Sequence, residues 1–95
     1  MPVTEIDINK SIEIAKEFGA TKIILFGSCV ESPDDAQDLD IACEGVEGWK
    51  IFELAGKLED TLHIQVDVVP LSPQTPFIKH IEKWGKVIYE ERKAS

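Results

Sequence analysis

Apolar residues along this 95-residue chain follow two periods, and the switches between them mark its elements. Ile8, Ile12, Ala15 and Phe18 recur at helical spacing. They predict a first helix over about residues 7–18, capped by Thr4 or Asp7 and stopped by Gly19. Lys22 to Phe26 carries its apolar residues consecutively, as a strand covered on both faces does. Glu31 to Gln37 has the composition of a loop. From about 38 to 43 the pattern alternates, with Leu39, Ile41 and Cys43 facing one way and Asp38, Asp40 and Ala42 the other. Ile51, Leu54, Ala55, Leu58 and Leu62 form the stripe of a second helix over about 48–61. A third strand is expected over about 63–69, with Ile64, Val66 and Val68 opposite Gln65, Asp67 and Val69, and Pro70 ends it. Thr75-Pro76 opens a third helix, Phe77, Ile78, Ile81 and Trp84 form its apolar side, and Gly85 closes it. Lys86 to Tyr89 reads as a short final strand. The expected fold is therefore α/β, with helices packed on a small mixed sheet.

Length and charge narrow what such a fold can do. Residues 1–95 suit one small domain of modest stability, so a large acceptor would have to be another molecule. The net charge is −8, and Arg92 is the only arginine. That balance disfavours sequence-independent nucleic-acid binding, which needs clustered cations on the phosphates. Met1 to Glu5 has no signal-peptide character, and no apolar run approaches bilayer length. A reducing cytoplasm is the expectation. Cys29 and Cys43 lack metal-ligand spacing and read as small packed residues. His63 is expected at a strand end, His80 on a helix surface, Phe77 and Trp84 in the core stripe of the last helix, with a partner-facing patch as the lesser alternative, and Tyr89 in the core, with self-modification by nucleotide transfer as the lesser alternative.

Within that frame, residues 27–40 carry the chemistry. Gly27-Ser28 follows a strand, and after nine intervening residues comes Asp38-Leu39-Asp40. Residues two apart on a strand share a face, with side chains about 7 Å apart. Asp38 and Asp40 would repel each other unless cations offset them. Asp67, on another strand, adds a third carboxylate. Such a set suits two divalent metals about 3.5–4 Å apart, with Mg²⁺ completing its shell from substrate phosphates. Asp67 is then placed to accept a hydroxyl proton. Gly27 would let phosphate oxygens approach the backbone, where Ser28 and nearby N–H groups bind them. The plainer alternative is three unrelated solvated aspartates. It loses weight because Asp is disfavoured inside strands.

The run Phe26-Gly27-Ser28, nine residues, Asp38-Leu39-Asp40-Ile41, with Val66-Asp67-Val68 later, resembles the signature of the DNA polymerase β-type nucleotidyltransferases. The length, and the ending Phe77-Ile78…Ile81…Trp84-Gly85…Val87-Ile88-Tyr89-Glu90, resemble the family's minimal branch, which supplies antitoxins to HEPN-domain toxins. The resemblance implies the polymerase β-like fold, and transfer of a nucleoside monophosphate, usually AMP from ATP, to a hydroxyl on the toxin partner. It further implies that Gly27 and Ser28 hold the triphosphate, and that Asp38 and Asp40 ligate two Mg²⁺ ions. Asp67 would ligate one of these and act as base. One departure stands out: after Gly-Ser such proteins usually carry a small residue, Arg and Gly, whereas this chain has Cys29-Val30-Glu31-Ser32. Glu31 thus replaces a cation, and Lys50 is a candidate substitute. A module that neutralises its partner by binding alone is the alternative reading.

Overall fold

The computed structural model describes residues 2–92. Thr4 starts the first helix, α1 (Glu5–Glu17). Its hydroxyl accepts from the Asp7 N–H, and the Asp7 carboxylate accepts from the Thr4 N–H. Both expected capping residues thus act together as a capping box. There follow strand β1 (Lys22–Phe26), a short helix α2 (Ser28–Glu31), strand β2 (Leu39–Glu44) and a 3₁₀ turn (Gly48–Lys50). Then come α3 (Ile51–Leu62), β3 (Val66–Pro70), α4 (Pro76–Trp84) and β4 (Lys86–Glu90).

The sheet order is β3-β2-β1-β4. β1 runs antiparallel to β2 and β4, whereas β2 and β3 are parallel, so the sheet is mixed, as expected. α1 and α3 cover one face. There Ile23, Leu25, Leu39, Ile41, Cys43 and Val66 pack with Ala15, Leu54 and Leu58. Burying each large aliphatic side chain of this layer contributes roughly 1.5–3 kcal/mol. Among the described residues the other face carries one helix, α4, whose Ile78 and Ile81 pack on Ile24, Ala42 and Leu71. Because α4 lies over β1, the β2–β3 side of this face keeps an uncovered strip.

Several sequence expectations change here. α3 runs to Leu62, and His63 is its C-cap in the left-handed conformation (φ 58°), not a strand end. β3 therefore begins later than expected, at Val66. In α4 the buried stripe is Ile78 and Ile81 alone, and Phe77 and Trp84 are 53% and 63% exposed. A nine-residue helix on one strand has too narrow a contact to bury residues that flank the stripe. Gly85 closes α4 at φ −78°, so a left-handed turn is not what requires glycine. Crowding is: a Cβ there would stand 2.6 Å from both Ile24 Cγ2 and the Ile81 carbonyl. Tyr89 is half-buried against the core, with Lys16 Nζ 5.1 Å from its ring centroid, as the core reading expects.

Candidate active site

The uncovered strip is where the acids lie. Ile24 and Phe26 of β1, Ala42 of β2 and Val69 of β3 all belong to the α4 face. Strand alternation places Asp40 and Asp67 on that face too. Register then aligns them, since Phe26 pairs with Asp40 across β1–β2 and Asp40 with Asp67 across β2–β3. Phe26, Asp40 and Asp67 therefore form one row across three strands. Asp38, one residue before β2, adds its charge to the same cluster. The loop leading to it is anchored by buried Ala36, whose carbonyl accepts from the Val3 N–H at 2.7 Å.

Asp40 shows the electrostatic consequence. Its carboxyl is pushed up to about 6, first by burial, then by the Asp67 charge, a hydrogen bond to Asp67, and the Asp38 charge. Burial and two neighbouring carboxylates thus disfavour the ionised form of Asp40. That donor chemistry fits a divalent metal. Among the described residues no three His, Cys, Asp or Glu side chains form a ready-made metal cage. Mg²⁺ commonly takes one or two carboxylates and completes its shell with water and substrate phosphates, a demand that this open strip meets.

Gly27 ties the phosphate-binding candidates to the acids. It caps α2 at φ 72°, ψ −145°, a region that is essentially reserved for glycine. A Cβ on it would overlap Asp40 Oδ2 and lie 3.2 Å from Asp40 Cγ. Its carbonyl accepts from the Val30 and Glu31 N–H groups. Ser28, half-buried, starts α2, so the turn foreseen from Gly27-Ser28 winds into one helical turn. Residues 28–31 are thus helical, where Glu31 was expected to open a loop.

The candidate counter-cation does not come to the site. Lys50 follows the opposite end of β2, and its Nζ stacks 5.2 Å from the Trp49 ring centroid. Lys22 begins β1, far from Gly27, and pairs with Glu90 at 3.6 Å. Both cysteines are buried, as expected of packed residues. Cys29 Sγ donates to the Asp38 carbonyl at 3.3 Å. Burial and the charges of Asp40 and Asp38 raise its pKa, and burial pushes Cys43 up to about 12. Iodoacetamide at pH 8 should therefore alkylate both at least about tenfold more slowly in the native chain than in urea, as read by mass spectrometry. Equal rates would refute their burial.

Sequence reasoning missed a cavity of about 580 Å³ that begins at Gly27 and runs between α2 and α4. Phe26, Val30, Phe77, Ile81 and Trp84 form its apolar walls. Phe77 and Trp84 are one heptad apart in α4, a spacing that places both along one edge of the helix. Their merger with Ile78 and Ile81 into one stripe concealed this. Among the described residues no helix is long and apolar enough to cross a membrane.

Comparisons with known proteins agree with this fold. The family model described as "Polymerase beta, Nucleotidyltransferase" matches residues 9–94. Comparison with curated protein sequences returns no match. Among solved structures, the toxin–antitoxin pair MntA–HepT contains a chain 25% identical, with a TM-score of 0.71 over 92% of this chain and 73% of that one. A toxin–antitoxin crystal structure with AMP-PNP gives 26% identity and a TM-score of 0.74, over 88% of this chain and 73% of that one. A third is a tri-AMPylated Shewanella oneidensis HEPN toxin in complex with MNT antitoxin, at 25% identity and a TM-score of 0.72, over 90% of this chain and 71% of that one.

Proposed function

From the premise that this chain belongs to the polymerase β nucleotidyltransferase family, we propose that it is a minimal, single-domain nucleotidyltransferase that moves AMP from ATP to a hydroxyl on a HEPN-type toxin and so acts as its cytoplasmic antitoxin. The observation that carries this reading is the row in which Asp40 and Asp67 lie in register beneath Gly27, with Asp38 beside them. Similar chains occur with AMP-PNP in one solved structure and with an AMPylated HEPN toxin in another.

In this mechanism Gly27, lacking a side chain, lets the triphosphate reach the backbone beside Asp40, and Ser28 donates to it. Asp38 and Asp40 would hold the Mg²⁺ ions, and Asp67 would ligate one of them. When bound, the metal offsets phosphate charge and lowers the pKa of the attacking hydroxyl. Asp67 is positioned to take that hydroxyl's proton. The hydroxyl oxygen forms a bond to the α-phosphorus, the bond from that phosphorus to the bridging oxygen breaks, and pyrophosphate leaves with the electron pair.

The test is transfer of α-labelled ATP to a purified HEPN partner in Mg²⁺. Label should appear on the partner, vanish on chelation, and fall about 10³-fold in Asp38→Asn. Undiminished labelling in that variant would remove Asp38 from the machinery. A second reading, neutralisation by binding alone, is favoured by Glu31, which places a negative charge at the end of α2, four residues from Gly27. It predicts toxin inhibition without ATP that survives Asp67→Asn.

A further inference from the structure

We propose that the cavity between α2 and α4 is the nucleobase pocket, and that Glu31 at its wall is the residue that selects an amino-bearing base such as adenine. The proposal rests on the nucleotide-site reading of the acid row and deepens it. A nucleotide's base is tethered to its phosphates by one ribose, so it must lie next to the phosphate turn. The cavity shares Gly27 with that turn and opens on the same sheet face as Asp40 and Asp67. Its volume, about 580 Å³, falls within the range of small-ligand clefts.

The walls suit a flat aromatic group. Phe26 and Phe77 meet edge to face, with centroids 5.9 Å apart, and Trp84 adds a third ring. Bases stack on such surfaces, and each stack contributes about 1–3 kcal/mol. A cavity along this edge of α4 also accounts for the exposure of Phe77 and Trp84, two large apolar residues where polar ones would serve a purely solvated face.

Charge fixes the orientation. Glu31 repels phosphate, so the Glu31 end takes the uncharged half of the nucleotide while the phosphates lie toward the cation-binding acids. An ionised carboxylate only accepts hydrogen bonds. Against a base it rewards an exocyclic amine and penalises a carbonyl. His80, also on the cavity wall, can donate to a ring nitrogen. The substitution of Glu31 for a cation is on this view a change of task, from holding phosphate to reading the base.

The experiment probes base and phosphate with separate ligands, so that it separates the pocket from the transfer chemistry. The ¹⁵N-labelled chain is titrated with adenosine, with purine riboside, which lacks only the 6-amino group, and with inorganic triphosphate plus Mg²⁺. Adenosine should shift the Trp84 indole N–H and the amides around Phe77, and bind about tenfold tighter than purine riboside. Glu31→Ala, at an exposed position, should abolish that tenfold difference. Phe77→Ala should weaken both nucleosides about tenfold and leave triphosphate binding unchanged. Adenosine shifts confined elsewhere, or a preference that survives Glu31→Ala, would overturn the proposal even if label transfer succeeds. Adenosine binding in the cavity of a chain that transfers no label would support the pocket and sink the enzymatic reading alone.

Discussion

Replacing Asp40 with Asn should cut nucleotide transfer about 10³-fold while raising the melting temperature of the free protein above pH 6. The two effects share one cause. Burial and the neighbouring charges of Asp67 and Asp38 push the Asp40 carboxyl up to about 6. A carboxyl whose pKa is higher folded than unfolded contributes stability in its protonated form. That contribution is fully present below pH 4 and is lost as pH rises through about 6. The wild type should therefore lose stability between pH 4 and 6 on account of this group, whereas the Asn variant keeps it. Asp40 is only partly buried, so solvent screening reduces the effect to about 1 kcal/mol, or about 4–8 °C in Tm. Thermal melts of both proteins from pH 4 to 8 measure it. An Asn variant less stable than wild type at pH 7.5 would show that the Asp40 carboxylate is satisfied in the apo fold, against the cation-binding reading. Mg²⁺ with ATP should stabilise the wild type and leave the variant unmoved.

Gly27→Ala is the second large effect, and here fold and chemistry suffer for different reasons. At φ 72°, ψ −145° an alanine is strained by about 1–3 kcal/mol. The new methyl must also displace the Asp40 carboxylate, whose Oδ2 occupies its space. Turning a carboxylate aside costs the fold little, because the end of a side chain yields more readily than backbone. It costs the site much more, because it moves one of two carboxylates placed by register. The expected result is a folded protein with Tm lower by about 5–15 °C and transfer down by at least about 10²-fold. Far-ultraviolet circular dichroism should remain native. A variant that transfers at wild-type rate would show that neither the backbone of Gly27 nor the placement of Asp40 matters to the reaction.

Local periodicity was sufficient for most elements, because each is a short run with one dominant pattern. β1, read from consecutive apolar residues, has the bounds expected, and the alternation in Asp38–Cys43 put Asp40 and Leu39 on opposite faces correctly. The stripe of α3 was equally plain, since four of its five residues are buried. Thr4 and Asp7 were legible as capping residues because a cap depends only on residues three apart. Family membership was legible for the same reason: its motifs are contiguous strings.

Long-range pairing was not legible, and the site depends on it. Nothing local in Val66-Asp67-Val68 says that Asp67 stands opposite Asp40. The parallel register of β2 and β3 decides that, and these strands are joined through α3 and its left-handed cap at His63. Nor does any local pattern reveal that α4 sits over β1 and leaves the acid strip open. That placement turns Phe77 and Trp84 from core residues into the wall of a cavity, and brings Glu31 to the same cavity from a helix much earlier in the chain. Residue type and spacing settle which way a side chain points from its own backbone. Which other side chains it then meets depends on how separate elements pack, and that is an energy of the whole chain.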